Sequence, residues 1–332
     1  MSLRGLSRRA ALVLCAAFVL SACAAAAHVR AQGSGWAGGR QGVQGSDLNA
    51  VYFADSKRGW VGGDGGLVLH TEDGGRAWAR QTLETKDSVN DIYFRDKEDG
   101  YLLAVSRIYT TEDSGQTWTL STRFLPQTFG GAAPELYSVR FTSKRRGWIV
   151  GSLSRGEDVV DSLVLYTSDG GSSWQRQRVP ATDELIHLDF DGDKRGWIVG
   201  SGGRILHTRD GGETWALQDS GTRAALYHVD FQGEENGWAV GEKGTILRTT
   251  DGGETWRPVP SPARSTLLSV KFVNEDEGWI VGRGGVILRS DDGGQTWKQQ
   301  DSNTRQNLYA LHFDKKLGWA VGGDGLVLRY ER

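Results

Sequence analysis

The sequence predicts an all-β fold, a seven-bladed β-propeller with four-stranded antiparallel blades. Three observations carry that expectation. A unit of about 41 residues repeats along residues 36–332, a period typical of propellers and solenoids. Each unit holds four short apolar or alternating runs separated by Gly-rich turns, the mark of four antiparallel strands. All 13 tryptophans occupy two fixed places in the repeat. Trp36, Trp78, Trp118, Trp174, Trp215, Trp256 and Trp297 follow an Asp-Gly-Gly turn or its degenerate equivalent. Trp60, Trp148, Trp197, Trp238, Trp279 and Trp319 sit in a Gly-Trp pair, and Gly100-Tyr101 stands in for the seventh.

The chain starts with Arg4, Arg8 and Arg9, followed by the apolar run Ala10 to Leu20. That run is too short to stay in a bilayer as a spanning helix and has the layout of a secretory signal. Leu20-Ser21-Ala22-Cys23 resembles a bacterial lipobox. Residues 1–22 are therefore expected to be a lipoprotein signal peptide, with Cys23 the lipidated first residue of an exported, membrane-anchored chain. The other reading is ordinary cleavage further on, for example after Ala31. Ser7-Arg8-Arg9 with Leu12 is a fainter twin-arginine pattern. Residues 23–35, rich in Ala and Gly, read as a flexible tether.

Removing the signal takes the formal charge from −2 to −5, because it carries three arginines and no acid. Such a chain is a poor nucleic-acid binder. Cys15 and Cys23 are the only cysteines, so the repeat region has no disulfide and no thiolate metal site.

The unit from Leu267 to Gln300 shows the reasoning for each element. Leu267 to Phe272 alternates and ends in an aromatic, as a half-buried strand does. Asn274 to Glu277 is a polar turn. Gly278 to Gly282 is a second strand, Arg283-Gly284-Gly285 a turn, and Val286 to Arg289 a third strand. Asp292-Gly293-Gly294 turns the chain into a fourth strand, Thr296 to Gln299. The chain's last unit stops after its third strand, and Trp36 supplies the missing piece. It lies 17 residues before Phe53, much as Trp297 lies 16 before Phe313. Trp36 to Gln41 is therefore expected to be the outer strand of the last blade, closing the ring and removing a free edge.

The stretches Thr208 to Trp215, Thr249 to Trp256 and Ser290 to Trp297 resemble the Asp-box, Ser/Thr-x-Asp-Gly-Gly-x-Thr-Trp. Its aspartate can accept backbone N–H bonds while the glycines supply positive φ. The same chemistry in every unit argues for a hairpin staple rather than a calcium or catalytic site.

Function is sought where the units differ. Aligning the first strands (from Leu48, Val89, Leu136, Leu185, Leu226, Leu267 and Leu308) leaves two variable columns. The fifth reads Tyr52, Tyr93, Arg140, Asp189, Asp230, Lys271, His312. The third reads Ala50, Asp91, Ser138, His187, His228, Ser269, Ala310. Alternation puts both columns on one face, expected to line the central channel. His187, Asp189, His228 and Asp230 are the residue types that hold a divalent metal. The alternative is a solvated channel whose charges pair with Arg140 and Lys271, and neither a metal nor a cofactor is expected.

The links between blades form the second variable set. Arg123, Arg223, Arg264 and Arg305 recur there and should share a face with the turns bearing Arg204, Lys243 and Arg283. Such a basic set suits an acidic partner surface. The longest link, 119–136, carries Phe124, Leu125 and Phe129, which suggests an exposed contact loop, unless it packs back on the ring.

The sevenfold unit Gly-Trp-x-Val-Gly … Asp-Gly-Gly-x-Thr-Trp is similar to that of the photosystem II stability/assembly factor family, over residues 36–332. That resemblance implies a non-enzymatic, monomeric propeller that binds a membrane protein or its assembly intermediate. In a phototroph the partner would be early photosystem II containing the D1 precursor. The site implied is the thylakoid lumen, or the periplasm and outer membrane elsewhere. It also implies an arginine-rich face, for which Arg223, Arg264 and Arg305 are the candidates. The rival reading is a glycoside hydrolase or glycan-binding propeller of the Asp-box type. Hydrolysis needs two carboxylates flanking a cleft, and Asp189 with Asp230 is the pair to offer. No Arg-Ile-Pro occurs, and no tryptophan is left outside the repeat as a sugar platform.

Overall fold

The structure is a computed structural model and describes residues 35–314 and 317–331. The signal peptide, Cys23 and the tether up to residue 34 lie outside the described residues. Seven four-stranded antiparallel sheets follow one another, and their inner strands pack side by side into a closed ring, with Leu48–Phe53 beside Leu308–Phe313. In six blades the strands are consecutive. The seventh combines Leu308–Phe313, Leu317–Gly322 and Leu326–Glu331 with Trp36–Arg40. Trp36 pairs with Tyr330 and Arg40 with Leu326. The closure expected from the Trp36 spacing is therefore present.

The two kinds of tryptophan have one shared purpose, which is to clamp the phenylalanine that ends each inner strand. Phe231 is stacked at 3.4 Å by Trp197 of the preceding blade and met edge-on at 5.8 Å by Trp256 of its own. Phe272 has the same pair, Trp238 and Trp297. In the seventh blade Phe313 lies between Trp279 and Trp36, so the N-terminal strand does the work of an Asp-box tryptophan. These mixed stacked and edge-on contacts suit the ring quadrupoles. They also explain the glycine of the Gly-Trp pair. A Cβ at Gly237 would sit 2.3 Å from the Phe231 ring.

The Asp-box is a staple. Asp210 Oδ1 accepts the Thr214 amide at 2.9 Å, and the Thr208 hydroxyl accepts the Gly212 amide at 2.8 Å while donating to Asp210. The same bonds recur at Asp251 and Asp292. Hydrogen bonds from the Ser173 hydroxyl and amide hold the equivalent Asp169 down at about 2.

Each inner strand carries a β-bulge between its first and third columns, for example Leu226/His228 and Leu267/Ser269. All seven blades have it. A bulge adds one residue and breaks strict alternation. The first column is wholly buried, as are most residues of the fourth and sixth. The second, third and fifth therefore all face the axis.

Candidate functional site

The fifth column and, apart from the buried Ser138, the third line the central channel, and the bulge adds the second: Asn49, Asn90, Tyr137, Ile186, Tyr227, Leu268 and Tyr309. Together they enclose about 520 Å³. Strict alternation misses the second column. The signal for it is the apolar spacing of three between columns one and four, which a plain strand cannot bury on one face.

Many polar channel side chains stitch one blade to the next. Asp91 Oδ2 accepts the Val139 amide, Asp189 Oδ2 the Phe231 amide and Asp230 Oδ2 the Phe272 amide, all at 2.8–2.9 Å. The Tyr52 and Tyr93 hydroxyls donate to the carbonyls of Phe94 and Phe141. These bonds satisfy amides and carbonyls that inner strands would otherwise leave unpaired inside the ring. The ion pairs are Lys271 with Asp230 at 2.6 Å and Arg140 with Asp91 at 2.9 Å. Arg140 thus turns back to blade two and also meets His187 Nε2 at 3.0 Å, rather than pairing with Asp189.

His187 and His228 stack at 3.6 Å. Burial pushes both well below the usual histidine value and takes His312 down to about 3, so all three are neutral near pH 7. Asp189 goes the other way. Burial, then the neighbouring Asp230 charge, raises its carboxyl to about 6. The metal alternative is not built: among the described residues no group of three or more His, Cys, Asp or Glu is placed to hold an ion.

The links and the turns between second and third strands share one end of the ring. The Glu242 amide donates to Ala225, and the Arg283 amide to Thr266. A Cβ at Gly244 would meet the Ala263 carbonyl at 2.0 Å, and one at Gly285 the Thr304 carbonyl at 2.2 Å. Links and turns are thus laid directly on each other, which brings Arg223, Lys243, Arg264, Arg283 and Arg305 onto blades four to six at one end. All five are exposed and, among the described residues, none forms an ion pair. The nearby acids are committed to backbone: Asp219 to the Gly221 amide, Asp301 to the Asn303 amide, Glu242 to the Ala225 amide. Arg204 is paired with Asp183. Arg123 is exposed at the same end but follows blade two, separated from the others by the link that carries Asp183 and Glu184.

The long link departs from the expectation of an exposed aromatic loop. Phe124 is buried with Leu136, Leu153 and Leu163, and Phe129 is half-buried against them. Their rings lie 6.0 Å apart. The cause is the extended hairpin Gly147–Arg155 and Asp158–Thr167, which offers a wall the aromatics can cover. Leu125, Val159 and Val160 are what remains exposed there.

The sequence pattern of the family described as Photosynthesis system II assembly factor YCF48 matches this chain in overlapping stretches, residues 30–121, 76–176, 130–219, 214–305 and 259–331. The chain belongs to that family. It is 34% identical over 70 residues to the photosystem II assembly lipoprotein Ycf48 of Synechococcus sp. (strain CC9902), 20% of this chain and 21% of the relative. It is 31% identical over 117 residues to the chloroplastic photosystem II stability/assembly factor HCF136 of Oryza sativa subsp. japonica, 32% of this chain and 24% of the relative. The matched segments thus span a quarter or less of these relatives' length. The solved YCF48 bound to a D1 peptide superposes with a TM-score of 0.72 at 23% identity, covering 90% of this chain and 97% of that one. The GH74 enzyme of Niastella koreensis reaches 0.66 at 14% identity, covering 88% of this chain and 53% of that one. At these identities the two likenesses show the fold alone.

Proposed function

We propose that this chain is a non-catalytic, monomeric scaffold, held to the membrane by a lipid on Cys23, that binds a membrane-protein partner during assembly or repair. In a cell that builds photosystem II, that partner is a reaction-centre intermediate of the D1-containing type. Membership of the YCF48 family supports the partner class. The observation that carries the binding surface is the arc of five exposed cations on blades four to six, which among the described residues form no ion pair, while the neighbouring carboxylates accept backbone amides of their own loops. An arc of this kind attracts an acidic surface and orients it. Leu125, Val159 and Val160 offer an apolar contact at the same end.

The glycosidase reading is less well supported. Asp189 and Asp230 each hold a backbone amide of the next blade, which favours a structural role over a hydrolytic pair.

The test is affinity capture from membranes of the source cell with wild-type protein and with Arg223, Arg264 and Arg305 all changed to Glu. Loss of a photosystem II reaction-centre subunit from the variant's capture supports the reading. Equal capture by both, or glycan hydrolysis by the purified wild type, overturns it. Cys23→Ala, followed by membrane fractionation, tests the anchor separately.

A further inference from the structure

The axial channel has an electrostatic layout unlike that of the arginine arc outside it. Its second column is an arc of Tyr137, Ile186, Tyr227, Leu268 and Tyr309, running across five consecutive blades at the link end. Two of these tyrosines are oriented by carboxylates around the mouth. Tyr137 donates to Glu184 at 2.7 Å, and Tyr309 donates to Asp47 at 2.7 Å. Glu184 is itself fixed by the Ser201 hydroxyl at 2.9 Å. Asp64 accepts from Asn49 and Ser88 on the same rim. The entrance is thus aromatic, with Glu184, Asp47 and Asp64 on its rim and one cation, Arg283, acting on Tyr227 and Tyr309.

Deeper in, the charges do not balance. Arg140 and Lys271 each hold their own carboxylate, Asp91 and Asp230. The three histidines carry no charge near neutrality. One acid is left over. Asp189 lies between the two ion pairs, spends Oδ2 on the Phe231 amide, and among the described residues forms no ion pair. Burial, then the Asp230 charge, raises its carboxyl, and Lys271 and Arg140, each already paired, only partly offset this. Beside it, His228 Nδ1 is buried and has no hydrogen-bond partner. A buried carboxylate without a cation is costly, and a neutral imidazole nitrogen is a ready acceptor.

We infer that the channel is a binding site for a small organic ammonium ion with an apolar body, its cationic head on Asp189 and its body against Tyr137, Ile186, Tyr227, Leu268 and Tyr309. Each part has a physical reason. The acidic mouth raises the local concentration of cations. The tyrosine rings with Ile186 and Leu268 give the body an apolar surface. A volume of about 520 Å³ falls in the range of small-ligand sites. The ligand supplies the charge that the ring lacks, and an anion would add to the excess. Arg223, Arg264 and Arg305, the residues of the capture test, are not among the lining residues, so the site stands or falls apart from the partner reading.

The probes are phenethylammonium, neutral 2-phenylethanol and anionic 3-phenylpropionate, titrated into the mature protein by calorimetry and by NMR at pH 7.5. The expected result is that the ammonium binds at least about tenfold tighter than either of the others, since loss of a desolvated charge partner is worth that much or more. Asp189→Asn, which keeps an acceptor for the Phe231 amide, should abolish the preference. Ammonium binding should fade as the pH falls through the Asp189 value. Should Asp189→Asn fail to fold, Tyr227→Leu serves. It should weaken the ammonium and the alcohol alike, since both carry the same body, and keep the wild-type preference for the ammonium; binding of both unchanged would overturn the assignment. Equal binding of the three probes, no binding of the ammonium, or a preference that survives Asp189→Asn overturns the assignment. Arg223, Arg264 and Arg305 changed together to Glu should leave the preference intact.

Discussion

The two ends of the ring are built from different turns and hold opposite kinds of chemistry. At the Asp-box end each polar group has a fixed local partner: Thr208 with Gly212 and Asp210, Asp210 with Thr214, and the same set again at Asp251 and Asp292. At the link end the cations of blades four to six are exposed, and the acids beside them serve their own loops. A staple that recurs from blade to blade belongs to the folding of each blade. Cations confined to blades four to six are not required by the repeat, which is why the partner surface is proposed there.

Four measurements would break or sharpen that contrast. The largest effect is expected from the closing strand. Deleting residues 35–42 should lower the melting temperature sharply, and Trp36→Ala alone should cost about 3–5 kcal/mol, because it empties a site packed against Trp279, Phe313 and Tyr330. An unchanged melting curve would mean the ring does not depend on this strand. Next comes the staple. Thr208→Val leaves the buried Gly212 amide unpaired and should cost about 1–3 kcal/mol in denaturant unfolding. Thr249→Val should cost a similar amount, and a large disparity would show that the repeats are not equivalent.

The third effect concerns pH. The Asp189 carboxyl is raised to about 6 in the folded chain, above its ordinary value of 3.8. The folded state therefore binds this proton more tightly than the unfolded state. The penalty of the buried charge is fully present above the folded value and is relieved as pH falls from there towards 4. Urea midpoints should rise over that interval, and Asp189→Asn should flatten the rise. The smallest stability effect belongs to the arginine arc. Changing Arg223, Arg264 and Arg305 to Glu should shift stability by no more than about 0.5 kcal/mol per site while removing partner capture. A marked loss of stability would mean these side chains belong to the scaffold after all.

The fold was legible because its largest residues mark its period. Tryptophan positions alone locate all seven blades, and the odd spacing of Trp36 before Phe53 reveals the closure. The channel was only partly legible. Polar variation identified the third and fifth columns, but Tyr137, Tyr227 and Tyr309 escaped because a bulge is invisible to a period of two. Burial of Phe124 escaped for a different reason. It depends on how far the neighbouring hairpin extends, a tertiary fact with no local signature. The arginine positions could be read from the links. Which of them are free could not, since Arg204 is paired with Asp183 while Arg223 is exposed with no ion pair, and that depends on the rotamers and reach of residues in the neighbouring link.

The strand that closes the ring is also the first strand of the propeller to be made. Its partner, Leu326–Glu331, is the last. During synthesis Trp36–Arg40 waits without its neighbour until the seventh blade is made. A waiting strand with a strong β-forming sequence would be a template for pairing with another copy. This one reads Trp-Ala-Gly-Gly-Arg. Two glycines and a charge make it a poor strand by itself, so it is kept from pairing early and takes its shape only when the finished seventh blade presents an edge to receive it.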